Sequence, residues 1–444
     1  MKKISLNEVI KAVDGEFSGD SAAYINQLFY DSRDVVKNNK NSLFVAIPGN
    51  EVNGHKFVIS AFENGAKFAL VDHKPNNIKD TSRLIFVEDT VQAFGKLAKY
   101  YKSKFDLKTI GITGSVGKTL TKEFIANVLS QELNTYRNQG NFNSLVGLPY
   151  ALQELKDEHE IAVIELATNH FGEIAWLTDI IKPDISIITN IEEVHTEFLE
   201  NLRGVYREKI DIFKNAKEDA IKIFDGDEFL FQDLKKKENY LSFGLKEDND
   251  YIISEIKLEN DNYSFYLNNE KYQIFNDFEP NVFNATPAII IGKLHNINSQ
   301  QIQAGLNIEP GLDLRIDKKY NDEKNWEIIA DCYNANPKAM KASLEYLKQV
   351  GYEHTIAILG DMLELGEKEV EKHKEIGEFI KTLDLDRLIT VGDLARYFKG
   401  DEHYNSVEEI LAEKDEFKFP QNSAILLKGS RFIELEKLME RLID

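Results

Sequence analysis

Apolar and polar positions divide the chain into three stretches of different rhythm. Up to about residue 86, short apolar runs such as SLFVAIPG, AKFALVD and RLIFVED are separated by Gly, Asn and Asp, the pattern of short strands joined by turns. A helical run near residues 91–103 follows. From about residue 108 apolar strands alternate with amphipathic helices through KTIGIT, KEFIANVLSQ, EIAVIEL, GEIAWLTDIIK and DISIITNI. That alternation predicts parallel strands joined by right-handed crossovers. Between about 218 and 278 the character changes, and YIISEIKLENDNYSFYLNNEKYQIF, with near-alternation and Asn/Asp turns, predicts an antiparallel meander. The last third returns to the first rhythm in WEIIADCY, TIAILGD, DRLITVGD and SAILLKGS. The fold class is therefore α/β.

Composition bounds this picture. A chain of 444 residues exceeds one ordinary core and predicts roughly two to four compact units with clefts between them. The N-terminal MKKISLNEVIKAVDGEF has two lysines but no apolar stretch of signal-peptide type, and no run is long enough for a membrane helix, so a cytosolic protein is expected. One cysteine, Cys332, permits no internal disulfide and no zinc cluster. The formal charge of −21 argues against nucleic acid or an anionic membrane as partner. An anionic ligand would instead need positive charge supplied locally, by backbone amides, lysine, arginine or a divalent cation.

The candidate chemistry begins at TIGITGSVGKTLTKE, residues 109–123. Ile110 and Ile112 alternate as in a buried strand, while Leu120, Phe124, Ile125, Val128 and Leu129 share one helical face. Gly114-Ser115-Val116-Gly117 thus falls at a strand-to-helix turn, where converging N–H groups and the helix N-terminus attract phosphate. Lys118 could reach terminal phosphates and Thr119 could hold magnesium. The usual phosphate-loop spacing would put a glycine where Ile112 stands, so a plain Gly-rich turn remains open on the motif alone. In ENLRGVYREKIDIF, Leu202, Val205, Tyr206, Ile210 and Phe213 form an apolar stripe with Lys209 in its middle, while Arg203, Arg207, Glu208 and Asp211 point elsewhere. Lys209 is read either as a snorkelling lysine or as one aimed into a cleft. Glu165 and His195 follow later strands, and ligands of open α/β sheets bind beyond the carboxyl ends of strands.

With these residues in place, the sequence resembles the Mur ligase family. TGSVGKT resembles its central-domain loop, whose own glycine spacing does not require one at Ile112. YDSRDV, SLFVAIPG and NGHKF resemble its uridine-nucleotide domain; NQGNFNSLVGLPYAL, ATNHFGEI and EPNVFNATPA resemble central-domain segments; DCYNANPKAMKASL, LGDMLELGE and LLKGSR resemble the third domain. The pair DCYNANP and LGDMLELG resembles the branch that adds a dipeptide. The resemblance implies a UDP-sugar-binding α/β domain over 1–86, a central ATP-binding domain over 87–309 with a P-loop-type mostly parallel sheet and an antiparallel extension, and a Rossmann-like domain over 310–444.

It further implies ATP and two magnesium ions as cofactors, with Thr113, Gly114, Ser115, Val116, Gly117, Lys118, Thr119, Asn281, Asn284, Arg315 and Asp331 on ATP. Metal ligands would be Thr119, Glu165, His195 and Lys209, the last carbamylated. Ser32, Arg33, Asn141, Asn143, Asn334 and Asn336 would contact substrate, and Asp361 is a further candidate on the dipeptide side. The implied reaction joins D-alanyl-D-alanine to UDP-N-acetylmuramoyl-tripeptide through an acyl phosphate, in a cytoplasmic monomer. The alternatives are another amide ligase of the Mur or folylpolyglutamate type, or a nucleotide-sugar-binding regulator. The chain departs from the family pattern at Leu120, Asn53, Ser144, Ala167, Thr168 and Pro280, none of which removes a proposed catalytic group.

Overall fold

The structure, a computed structural model, describes residues 1–35, 41–49, 52–260, 262–274, 278–311, 316–413 and 417–443. Three main sheets follow one another along the chain. In the first, Gln27–Phe29, Ser42–Val45, Phe68–Val71 and Leu84–Phe86 pair in parallel in that order. The second has nine strands. Across it run Thr135–Arg137, Ile161–Glu165, Lys108–Thr113, Ile185–Ile188, Ile221–Asp225, Tyr240–Gly244, Tyr251–Glu259, Asn262–Leu267 and Glu270–Ile274.

Pairing is parallel from the first edge to the Tyr251–Glu259 strand and antiparallel only beyond it. The meander expected over 218–278 is therefore confined to Tyr251–Ile274. Strands Ile221–Asp225 and Tyr240–Gly244 continue the parallel sheet instead, because the short 3₁₀ helix Phe229–Leu234 and its flanking turns give the chain enough length to cross back between them.

Both faces of the nine-stranded sheet are covered, as near-continuous apolar strands require. Ile110, Ile112, Ile187 and Ile223 pack with Phe124, Val128 and Ile289 from helices Lys118–Leu129 and Pro280–Leu294. Each side chain so enclosed contributes about 1.5–3 kcal/mol relative to exposure. On the other face Ile164 and Ile188 join a cluster with Leu177, Val205 and Phe213, and this cluster runs through Phe94 and Leu97 of helix Thr90–Lys102 into Leu43, Leu70 and Ile85 of the first sheet. The first and second sheets thus share one core.

The third sheet orders Asp317–Asn321, Trp326–Asp331, Ser423–Lys428, His354–Gly360, Arg387–Val391 and Glu402–Tyr404, antiparallel only at the first edge. Separate clusters around Ile358 and Leu427, and around Leu344 and Leu426, fill its two faces. It meets the central sheet through the loop after Ile185–Ile188: Thr196 Oγ1 donates to Leu365 O at 3.0 Å, Lys372 reaches Glu193 at 2.9 Å, and Lys338 pairs with Glu192. Among the described residues no helix is long and apolar enough to cross a membrane.

Candidate active site

The parallel strands Lys108–Thr113, Ile161–Glu165 and Ile185–Ile188 end at one edge, and the candidate residues gather there. Between Thr113 and the helix Lys118–Leu129 the chain turns through Gly114 at φ 152° and Gly117 at φ 81°. Both positions need glycine for two reasons. An L side chain rarely adopts either conformation, and a Cβ would stand 1.9 Å from Thr189 Oγ1 at Gly114 and 2.0 Å from Asn284 Oδ1 at Gly117. The turn is held from the neighbouring strand end. Asn190 Oδ1 accepts from Val116 N at 2.9 Å, Thr189 Oγ1 donates to Val116 O at 2.6 Å, and Glu192 N donates to Ser115 Oγ at 2.8 Å. Lys118 folds its ammonium over the loop, 3.0 Å from Gly114 O and 3.2 Å from Ser115 O. The first turn of a helix without a side-chain cap thus faces the mouth of the loop, with Thr119 nearly buried beside it.

Glu165 closes the adjacent strand, in register with Ile112. It is 2 % exposed, and its Oε1 accepts from Asn143 Nδ2 at 2.8 Å, while Oε2 has no hydrogen-bond partner. Asn138 fixes the backbone on which it stands, accepting from Glu165 N at 2.9 Å. A buried carboxylate with one oxygen unsatisfied is costly unless a cation completes it.

Lys209 ends helix Leu202–Lys209 and is 1 % exposed. Burial pushes its ammonium well below the ordinary lysine range; Lys118 acts in the same sense, and Glu208 opposes both. The mutual repulsion places Lys209 within electrostatic reach of the loop lysine. Glu208 was expected to point away from the apolar stripe, yet it is as buried as Lys209. The reason is the helix Glu173–Ile181, whose N-terminus covers that side: Glu208 accepts from Gly172 N at 2.6 Å, Ile174 N at 2.7 Å and Thr168 Oγ1 at 3.1 Å. The carboxylate satisfies two orphan donors and the positive end of the helix.

The other predicted residues scatter more widely. Asn284 Nδ2 donates to Asn281 Oδ1 at 3.1 Å, and both begin the helix that abuts Gly117. His195, in the left-handed region at φ 53°, sets Nδ1 2.5 Å from Glu364 Oε2 of the third sheet's unit. Asp331 ends strand Trp326–Asp331, its Oδ2 accepting from Ser343 Oγ and Lys428 Nζ, both at 2.6 Å. Arg315 lies outside the described residues.

The comparisons with known proteins bear on the whole chain. Residues 24–102 match the Mur ligase family catalytic domain, 112–323 the Mur ligase middle domain and 315–431 the Mur ligase glutamate ligase domain. The UDP-N-acetylmuramoyl-tripeptide–D-alanyl-D-alanine ligase of Bacillus subtilis is 33% identical over 93% of this chain and 92% of its own. The chain belongs to the Mur ligase family. Among solved Mur ligases, MurF from Acinetobacter baumannii superposes with a TM-score of 0.88 at 28% identity, covering 100% of this chain and 99% of that one. MurF ligase from Thermotoga maritima in complex with ADP superposes with a TM-score of 0.82 at 26% identity, over 94% and 97%.

Within the Mur ligase frame some predicted residues have structural duties. Asn336 Oδ1 caps helix Pro337–Gln349 by accepting from Ala339 N at 3.0 Å, and Asp361 Oδ1 accepts from Leu394 N and Ala395 N at 3.0 and 2.6 Å. Asn334 and Asn141 are exposed. Arg33 is exposed and paired with Asp31 at 2.6 Å, while Ser32 is buried and accepts from Asn64 Nδ2 through its carbonyl at 2.9 Å. The sequence reading missed Thr189, Asn190, Asn138, Lys428 and Glu364. Asn190 carried a signal, since a polar residue at the carboxyl end of an apolar strand lies where the sheet binds ligands.

Proposed function

We propose that this chain is the ATP-dependent ligase that joins the amine of D-alanyl-D-alanine to the terminal carboxylate of UDP-N-acetylmuramoyl-tripeptide, in peptidoglycan precursor synthesis. The observation that carries the chemistry is the convergence of the Gly114–Gly117 turn, Lys118, the half-satisfied Glu165 and the desolvated Lys209 at one strand edge. Substrate identity rests on the full-length likeness to the Bacillus subtilis ligase named above. The units over 1–86, 87–309 and 310–444 would take the uridine nucleotide, ATP and the dipeptide respectively, in a cytoplasmic monomer.

A carboxylate is a poor electrophile, so amide formation needs activation. A tripeptide carboxylate oxygen attacks the γ-phosphorus of ATP, ADP leaves, and an acyl phosphate results. The dipeptide nitrogen then attacks the acyl carbon, inorganic phosphate leaves with that oxygen, and the nitrogen loses a proton. Loop amides and Lys118 hold the phosphate oxygens, with Lys118 exchanging its contacts to Gly114 O and Ser115 O for them. The unpartnered Glu165 oxygen fits a divalent cation, so Thr119 and Glu165 would hold one magnesium, and His195 with carbamylated Lys209 a second. Magnesium, when bound, offsets the charge on the transferring phosphoryl group. Desolvation favours the neutral Lys209 amine, the form that reacts with carbon dioxide to give a carbamate. Ser32, Arg33, Asn141 and Asn143 are assigned to the UDP-linked substrate, Asn281, Asn284, Asp331 and Arg315 to ATP, and Asn334 and Asn336 to the dipeptide side. Contacts of His195 with Glu364 and of Lys338 with Glu192 hold the third unit over the loop, which keeps water from the acyl phosphate.

A coupled ADP-release assay tests this reading. ADP should accumulate with UDP-N-acetylmuramoyl-tripeptide only when D-alanyl-D-alanine is the amine; turnover with a diamino acid or glutamate instead would move the chain to a sibling activity. No ADP with any amine would make it a binding protein.

A further inference from the structure

In the first sheet's unit, the carboxyl end of the inner strand Phe68–Val71 brings His55, Asp72 and His73 together, the one trio of candidate ligands among the described residues whose donor atoms all lie within 4.8 Å of one another. His55 is buried in the short turn Gly54–Phe57, while Asp72 and His73 follow strand Phe68–Val71 directly. We propose that these three side chains form a binding site for a borderline divalent cation, Zn²⁺ in preference to Mg²⁺, that clamps the turn to the strand end.

The tautomer of His55 is fixed by a neighbour. Asn53 Oδ1 accepts from His55 N at 2.9 Å and lies 2.7 Å from His55 Nδ1, so Nδ1 carries the proton and Nε2 is the accepting nitrogen. That nitrogen lies 3.1 Å from Asp72 Oδ1. Nε2 accepts from the Asp72 N–H at 3.2 Å and Asp72 Oδ1 contacts His73 Nδ1, two bonds that a cation bound among the three side chains would replace.

Two ligands on one tetrahedral zinc stand about 3.4 Å apart, given Zn–N and Zn–O lengths near 2.0–2.2 Å. The His55–Asp72 separation is close to that. His73 supplies the third ligand: its Nδ1 contacts the same carboxylate oxygen, and its ring stacks on His55 at 4.0 Å and 19°. Being exposed, it can rotate to open the ligand triangle. Imidazole and carboxylate together suit zinc, cobalt and nickel rather than magnesium. The Nδ1–H to Asn53 is the outer hydrogen bond that orients a histidine ligand.

The test is titration of the demetallated full-length chain with Co²⁺, read by visible d–d absorption, and with Zn²⁺, read by thermal shift. One Co²⁺ per chain should give a tetrahedral-type band that persists in Glu165→Gln, and Zn²⁺ should raise the melting temperature. His73→Ala, a surface change, should weaken Co²⁺ binding at least about tenfold, and Asn53→Ala about 10- to 100-fold. Equal Co²⁺ binding by wild type and His73→Ala, or no band in the wild type, would overturn the proposal.

Discussion

Replacing Glu165 by glutamine separates the stability of the active site from its work. The swap conserves shape. Its amide oxygen keeps the bond from Asn143 Nδ2 at 2.8 Å, and its NH₂ takes the place of the unpartnered Oε2. The side chain is 2 % exposed, so the wild-type carboxylate carries its charge almost without water. A buried acceptor left unsatisfied costs about 1–3 kcal/mol, and more when charged. Glutamine leaves an unsatisfied group there too, but a neutral one, which should recover about 1 kcal/mol and raise the nucleotide-free melting temperature by about 1–3 °C. Ligation should move the other way. Loss of one preorganised charge at the phosphoryl group costs about 10²- to 10³-fold in rate. The assays are differential scanning fluorimetry without ligands and ADP release with all substrates, on the same preparation. A variant that melts lower and retains ligation would refute the reasoning, since Glu165 would then be a structural carboxylate with an adequate partner.

Gly117→Ala should raise the ATP KM about tenfold or more with the fold retained, because its φ of 81° costs an L residue about 1–2 kcal/mol and its Cβ displaces Asn284; KM and circular dichroism together check this. Ligation in CO₂-depleted buffer should fall and return on adding bicarbonate, whereas Lys209→Met should be inactive in both; a rate indifferent to CO₂ would remove the carbamate from Lys209. Burial pushes Glu228 up to about 7 from an ordinary 4.5, so the folded chain keeps a proton that the unfolded chain releases. Stability should therefore fall as pH rises from about 4.5 to 7 and level off above it. Glu228→Gln should flatten the profile by about 1 kcal/mol once solvent screening is allowed for, measured by urea melts across that range.

The alternation of apolar strands and amphipathic helices made the α/β class legible, and the strand-turn-helix at residues 108–129 fell where the sequence placed it. Periodicity identifies elements and faces but not partners. Nothing in IKIFD or YLSFG distinguishes a parallel strand from the first arm of a meander, and the crossover through Phe229–Leu234 decided it. The same limit applied at Glu208. A helical wheel sees one helix, so it placed that carboxylate off the apolar stripe with no partner, whereas the N-terminus of Glu173–Ile181 buries it. Lys209 was legible because a cation in an apolar stripe is anomalous on the wheel alone. Asn336 and Asp361 show a second duty that the motif alone did not reveal: one side-chain oxygen of each accepts backbone N–H bonds, in a helix cap and in a loop.

Transfer of phosphate to the acceptor carboxylate is the step on which the account depends, and oxygen labelling reports it directly. UDP-N-acetylmuramoyl-tripeptide carrying ¹⁸O in its terminal carboxylate should, on ligation to D-alanyl-D-alanine, yield inorganic phosphate with one ¹⁸O per molecule by mass spectrometry. Unlabelled phosphate formed alongside ligated product would contradict an acyl phosphate at this site.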